Sequence, residues 1–284
     1  MQDATKEADG APPGEAVASF QTTEGIGRRI AHVFYTAPAL VPLFVLLVAV
    51  AIFGILLGDR FFSPFALTLI LQQVAIIGIV ASAQSLVILT AGIDLSVGAV
   101  MILSSVVMGK FTMDLGLPPA LGVFCGLLCG LLCGTISGWL VADWKLPPFI
   151  VTLGMWQIVL AANFLYSGSE VIRSQDIARE APLLQFFGRT IEIGGAVFTY
   201  GVILLLVLVA LLSYVLSQTA WGRHVYAVGD DKEAAELSGV NVRRTLISVY
   251  ALAGLICAFA GWALIGRIGS VSPQAGQLAN IESI

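Results

Sequence analysis

Residues 221–239, WGRHVYAVGDDKEAAELSG, form a charged segment between two long apolar runs. The runs on either side, residues 198–217 and 246–266, are each long enough to cross a hydrocarbon core of about 30 Å. Small residues that favour a short helix separate the acids of the segment. These acids are Asp230, Asp231, Glu233 and Glu236. The pattern predicts a water-facing connection between two membrane spans, with a composition typical of a docking surface.

The composition of the whole chain is that of an integral membrane protein. Of its 284 residues 58% are hydrophobic and 11% charged, with a mean hydropathy of +0.94, and a soluble domain needs more charge than this to cover its surface. Leu, Ala and Val dominate without strand-like alternation, which favours helices over a barrel. The predicted fold is therefore all-α, a polytopic multi-helix transmembrane bundle. The predicted spans are residues 38–58, 65–90, 97–113, 118–141, 148–167, 198–217 and 246–266.

Residues 1–36 are predicted to be a disordered cytoplasmic tail, because their first 27 positions are polar, rich in Gly and Pro, and lack a periodic apolar face. Basic residues near the span ends decide the orientation. A cytoplasmic amino terminus places eight Lys and Arg residues inside and six outside, with Arg28 and Arg29 directly before the first span. The charged segment 221–239 is then predicted to lie inside the cell. The net charge of −4 offers no basic footprint for nucleic acid.

A second irregularity lies in ILTAGIDLSVGAVMILSS, residues 88–105. Gly92 is predicted to end one helix in a left-handed turn, and Asp94 or Ser96 to cap the next. Two alternatives remain open: a simple cytoplasmic turn between two spans, or a broken helix that lines a pathway. Either one predicts a discontinuous or sharply turned helix near residues 90–97, with Asp94 a candidate pathway residue.

Four further polar or aromatic residues within the spans are candidate pathway residues. Gln73 and Gln84 are eleven positions apart and fall within roughly 20° of one another on a helix. Trp156 and Asn163, seven positions apart, also share a face. Amides beside a ring suit a sugar, whose hydroxyls need donors and acceptors. The alternative is that these amides hydrogen-bond neighbouring helices and that Trp156 marks a membrane interface.

The sequence offers no set of residues for catalysis, for a cofactor or for a metal. None of the four lysines follows a G-x-x-x-x-G phosphate loop, and the two histidines, His32 and His224, cannot form an H-E-x-x-H site. The four cysteines have no histidine or acid near them, which favours a role in helix contacts. If the protein carries out active transport, the energy is expected to enter through an ion gradient or through a separate ATPase.

Glu233, Ala234, Ala235 and Gly239 form an E-A-A-x-x-x-G pattern inside the longer string GRHVYAVGDDKEAAELSGVNV. Together with LTAGIDLSVGAVM and LPPFIVTLGM, this string resembles the permeases of ATP-binding-cassette importers for ribose, fructose, xylose and galactose. The similarity covers roughly residues 38–284. It implies that these four residues belong to a cytoplasmic coupling loop, residues 218–245, that docks into an ATPase.

The resemblance implies a bacterial inner-membrane permease, without a catalytic site of its own, that imports a monosaccharide of the ribose or fructose type. Its expected partners are cytoplasmic ATPase subunits, a periplasmic sugar-binding protein, a second permease copy and membrane lipid. The alternative function is a gradient-driven secondary sugar transporter or facilitator. Members of this family have about ten membrane segments, so residues 37–284 are expected to be a permease domain that is incomplete at its carboxyl end.

Overall fold

The computed structural model describes residues 40–193 and 196–275, so the predicted tail, residues 1–36, lies outside the described residues. The chain divides into two compact units, Met1–Asp59 and Arg60–Ile284. In the first unit, helix α1 (Leu40–Leu57) is apolar along its whole length. With the 3-10 turn Gly58–Arg60 that follows, it is long enough to span a bilayer.

The second unit is almost entirely helical. Between α6 and α7 its described part has a 3-10 segment, Pro182–Gly188, and two short antiparallel strands, β1 (Thr190–Ile193) and β2 (Ala196–Thr199). The helices are α2 (Pro64–Ile88), α3 (Val97–Met113), α4 (Pro119–Asp143), α5 (Pro148–Ser167), α6 (Ser174–Glu180), α7 (Tyr200–Gln218), α8 (Ala220–Asp230), α9 (Lys232–Leu237) and α10 (Val242–Ile268).

The all-α membrane fold predicted from the sequence is confirmed. Within the described ranges, six helices are long and apolar enough to cross a membrane: α1, α2, α4, α5, α7 and α10. The one remaining predicted span, residues 97–113, corresponds to α3, which is apolar but has only 17 residues. Every predicted span limit lies within four residues of the observed helix end.

Helix ends follow from proline and glycine. Pro64, Pro119 and Pro148 occupy the first turns of α2, α4 and α5, where the missing N–H costs nothing because it has no partner within the helix. Gly168 and Gly269, in the left-handed region, end α5 and α10. These residues set the lengths that hydropathy alone leaves open.

Helix α10 lies at the centre of the second unit. In its most apolar window 67% of the residues are buried, against 33% or less in the other spans. It contacts α2, α3 and α4. Helix α4 has a face of small residues whose five glycines are all buried: Gly122, Gly126, Gly130, Gly134 and Gly138. The last three of these glycines lie against α10, and the first two lie against α3. Close approach of the two backbones is the kind of packing that small residues permit between membrane helices.

Helix α3 is short but enclosed. Of its 17 residues 14 are buried, and it contacts α4, α5 and α10. Its one basic residue, Lys110, is buried too, and its ammonium group pairs with Asp114 at 2.8 Å and with Glu170 at 3.2 Å. A buried charge requires such partners.

Contacts between residues that are far apart in the sequence identify the two ends of this unit. At one, called here the α9 end, the guanidinium of Arg243 binds the carboxylate of Asp143, with Nη2 and Oδ2 3.0 Å apart. At the other, the sheet end, Lys110 binds Glu170, and the backbones of Ile172 and Val271 pair. The connections 89–96, 144–147 and 219–241 therefore lie at the α9 end.

Candidate functional site

Helix α9 presents the E-A-A sequence as a short, well-defined helix. The side chain of Asp231 caps it by accepting hydrogen bonds from the N–H groups of Glu233, at 2.8 Å, and Ala234, at 3.0 Å. Gly239 follows the helix with φ +84°, in the left-handed region. No other group lies within 4 Å of where a Cβ would stand at Gly239, so the position favours glycine for its backbone conformation and not for space.

The two alanines of the pattern have different environments. Ala235 is buried and belongs to the hydrophobic core of the second unit. Ala234 is exposed, as are Glu233 and Glu236. Within the E-A-A pattern, Ala235 therefore packs α9 against the bundle, while Glu233 and Ala234 are accessible to a partner protein.

Leu237, the last residue of α9, is not part of the E-A-A-x-x-x-G pattern and was not predicted as a site residue. Its side chain is 91% exposed, at the tip of an otherwise polar helix. Such a leucine would leave water if a partner docked onto α9. Its signal in the sequence is a single leucine in DDKEAAELSG, residues 230–239, whose other members are charged or small.

A cleft of about 360 Å³ separates α9 from the connection between α4 and α5. Its walls are apolar at Leu146, Pro147 and Leu246. Four charged residues also line the cleft: Lys145, Lys232, Glu233 and Glu236. None of them forms an ion pair with another described residue. The α9 end thus offers a concave surface beside a protruding helix.

The second irregularity, residues 89–96, is a turn at the α9 end. Helix α2 ends at Ile88, and α3 starts at Val97 and runs back through the bundle antiparallel to α4. Gly92 does not adopt the predicted left-handed conformation; Ala91 does, with φ +56°. Gly92 is needed for space instead, because a Cβ there would lie 2.7 Å from the hydroxyl oxygen of Tyr250.

Asp94 is buried within this turn. Its Oδ1 accepts hydrogen bonds from the backbone N–H of Ser96, at 2.7 Å, and from the Ser96 hydroxyl, at 2.6 Å. Burial raises the pKa of the Asp94 carboxyl, while the two bonds from Ser96 lower it by a smaller amount. Ser96 is the residue that precedes α3, but its hydroxyl binds Asp94 and not the helix.

Gln73 and Gln84 share α2 but differ in surroundings. Gln73 is exposed, and its Oε1 accepts a hydrogen bond from Arg267 of α10 near the sheet end. Gln84 is 1% exposed, and neither its oxygen nor its nitrogen is hydrogen-bonded in the described part of the chain. The two amides lie about 16 Å apart along the helix axis, so the structure does not bring them together.

Trp156 and Asn163 are both on α5. Trp156 is half-buried against the core. Asn163 is 1% exposed and donates from Nδ2 to the carbonyl of Pro273 at 2.9 Å, while its Oδ1 has no partner among the described residues. Of the candidate pathway residues, Gln84 and Asn163 therefore combine full burial with unused hydrogen-bonding capacity.

Comparison with known proteins gives a match over most of the chain. Residues 66–284 match the family described as "Branched-chain amino acid transport system / permease component". None of the solved structures matches the chain.

Three relatives illustrate the similarity. The fructose import permease protein FrcC of Rhizobium meliloti is 66% identical over 269 residues, which are 94% of this chain and 75% of that protein. The ribose import permease protein RbsC of Bacillus subtilis (strain 168) is 38% identical, over 85% of this chain and 72% of its own. The xylose transport system permease protein XylH of Escherichia coli (strain K12) is 32% identical, over 76% and 68%. The chain therefore belongs to this family of transport permeases and is similar to its sugar permeases.

Proposed function

We propose that this chain is the membrane-spanning subunit of an ATP-binding-cassette importer that carries a monosaccharide of the fructose or ribose type across the bacterial inner membrane. The names of its relatives support a monosaccharide as the solute. ATP is hydrolysed in a partner ATPase, since the sequence has no phosphate-binding loop of its own. The gradient-driven alternative lacks a supporting observation.

The observation that carries the proposal is the exposed helix α9. It is capped by Asp231, held to the bundle by Ala235 and exposed at Glu233, Ala234 and Leu237. A groove in the ATPase that is apolar at its base and basic at its rim would complement this surface, because the leucine loses water there and the acids gain opposite charges. In this proposal the coupling loop is residues 218–245, and the α9 end faces the cytoplasm.

The proposal includes the other partners that the family implies. A periplasmic sugar-binding protein delivers the solute at the sheet end, and a second permease copy completes the membrane part. Gln84 and Asn163 are proposed to contact the sugar on its way, because each has buried amide atoms that a sugar hydroxyl could satisfy. Gln73, Asp94 and Trp156 are proposed to lie along the same route.

The test is uptake of labelled fructose, and in parallel ribose, into proteoliposomes that contain the complete permease, its ATPase and its binding protein. We expect uptake to require ATP and to fall at least tenfold in Glu233→Lys, which reverses a charge on α9. The affinity between permease and ATPase is measured in parallel, and Glu192→Lys, which changes an exposed glutamate in β1 at the sheet end, is the control that should leave this affinity unchanged. Uptake by the permease alone that stops with an uncoupler and ignores ATP would contradict the proposal and favour a secondary transporter.

A further inference from the structure

The turn formed by residues 89–96 is held from three directions. The hydroxyl of Thr152, on α5, donates to the carbonyl of Ile93 at 3.1 Å. The hydroxyl of Tyr250, on α10, lies against Gly92. The third contact comes from Gly229 of α8, whose backbone lies against the carbonyl of Leu89 so closely that an added Cβ would overlap this oxygen.

Helix α8 is joined to α9 by one residue. Asp231 ends α8, because its N–H donates to the carbonyl of Ala227 at 3.1 Å. It also starts α9, because its side chain accepts a hydrogen bond from the N–H of Glu233 and its carbonyl accepts one from the N–H of Ala235. The same α8 is fixed to α10 where the indole N–H of Trp221 donates to the Ser248 hydroxyl at 2.8 Å. Helices α8 and α9 also contact one another, so we expect a movement of α9 to carry α8 with it.

The contact between Gly229 and Leu89 joins two backbones. If the two segments touched through long side chains, a displacement of one segment could be absorbed by a change of rotamer. Backbone atoms in direct contact have no rotamers, so a displacement of one segment moves the other. A shift of α9 and α8 is therefore passed to Leu89, and from there along the turn that carries Asp94.

From these contacts we infer that Gly229 is a positioning residue through which α8 passes the movement of α9 to the turn 89–96. The inference rests on the proposed function, since it assumes that an ATPase moves α9. It adds a specific route, α9 to α8 to Leu89, between the docking surface and the interior of the bundle.

The experiment uses Gly229→Ala in the complete reconstituted complex, with labelled fructose as the probe and ribose if fructose is not taken up. The added methyl group displaces Leu89 but leaves the exposed side chains of α9 unchanged. We expect the affinity for the ATPase to stay within twofold of wild type, while the sugar moved per ATP hydrolysed falls about tenfold, as loss of coupling along a contact network predicts.

A matched control and a second variant accompany it. Gly154→Ala makes the same change in α5 where no atom lies within 4 Å, and we expect no effect. Thr152→Val removes the hydrogen bond to Ile93 without adding volume, so it loosens the turn from the opposite side. Its control is Thr112→Val, at a buried threonine of the sheet end whose hydroxyl donates, among the described residues, to the carbonyl of Met108 in its own helix.

The outcomes separate the inference from the function on which it rests. A lower sugar-to-ATP ratio in Gly229→Ala or Thr152→Val, with ATPase affinity retained and both controls normal, supports the inference. If Gly229→Ala disturbs folding, seen as a lower melting temperature and lost ATPase binding, Thr152→Val alone decides. A wild-type ratio in every folded variant overturns the inference and leaves the importer intact. Absence of ATP-dependent uptake in the wild type overturns both.

Discussion

Gly130 of α4 and Gly254 of α10 face one another's carbonyl oxygens. A Cβ added to Gly130 would lie 2.5 Å from the oxygen of Gly254, and one added to Gly254 would overlap the oxygen of Gly130. Because both neighbours are backbone atoms, neither helix can make room without moving as a whole. This reciprocal contact fixes the distance between the two helices at the centre of the bundle.

Gly130→Ala is expected to destabilise the permease by about 1–3 kcal/mol, the usual cost of overpacking a core. Thermal unfolding of the detergent-solubilised protein measures it. Gly78→Ala is the control, because the added methyl group meets only the flexible side chain of Leu205. Equal melting temperatures for the two variants would contradict the close contact between α4 and α10.

Gln84→Leu is expected to raise stability and lower sugar uptake. Its amide is buried without hydrogen bonds in the described part of the chain, so an apolar residue of similar size relieves a penalty of about 1–3 kcal/mol. Asn163→Leu is the comparison, and it should lose stability because it also breaks the bond to the Pro273 carbonyl. If Gln84→Leu leaves uptake unchanged, Gln84 does not contact the sugar.

Leu237→Ala is expected to weaken binding of the ATPase about tenfold to thirtyfold, the effect of removing an apolar anchor from an interface. The stability of the isolated permease should not change, because the side chain is 91% exposed. Affinity measured between purified permease and ATPase gives the result. Leu165→Ala, at a leucine of α5 that is 84% exposed, should leave this affinity unaltered.

Asp231→Ala is expected to fray α9, since the variant leaves the N–H groups of Glu233 and Ala234 without their acceptor at a cost of about 1 kcal/mol. Hydrogen exchange of residues 233–237 should rise several-fold. Asp231→Asn keeps an acceptor oxygen and should exchange nearly as slowly as wild type. Fast exchange in both variants would show that the charge, and not the cap, matters.

Gly239→Val should impair ATPase binding more than Gly239→Asn. The backbone at this position has φ +84°, a conformation that asparagine tolerates and a β-branched residue does not. Since no other group lies within 4 Å of an added Cβ, the difference between the two variants reports backbone strain. Equal binding by both would mean that the turn after α9 can change shape freely.

The sequence was sufficient to predict the spans because a hydrocarbon core requires long apolar runs, and proline and glycine mark where they end. It could not show which face of each helix packs. A helix face that packs in the protein interior and a face that contacts lipid are both apolar. A hydropathy pattern therefore cannot distinguish Ile79, which is fully buried, from Ile70, which is exposed.

The candidate site was predictable only in outline. The E-A-A pattern located α9, yet the burial of Ala235 depends on how α9 lies against the bundle. Gly229 shows the same limit, since its role depends on the carbonyl of Leu89, 140 positions away in the chain. Gly92 was predicted to supply a positive φ, but Ala91 has it instead. Gly92 is needed for space, because the Tyr250 hydroxyl lies close to where its Cβ would stand.

The length of α3 has a consequence for the surrounding membrane. Its 17 residues span only about 26 Å, less than the roughly 30 Å of a typical hydrocarbon core. A lone helix of this length would force lipids to thin around it or would have to draw polar ends inward. Since neighbouring helices enclose α3 on nearly every side, its shortfall is hidden from the acyl chains. Hydrophobic mismatch in thicker bilayers should therefore act through the peripheral helices and leave α3 insensitive to lipid length.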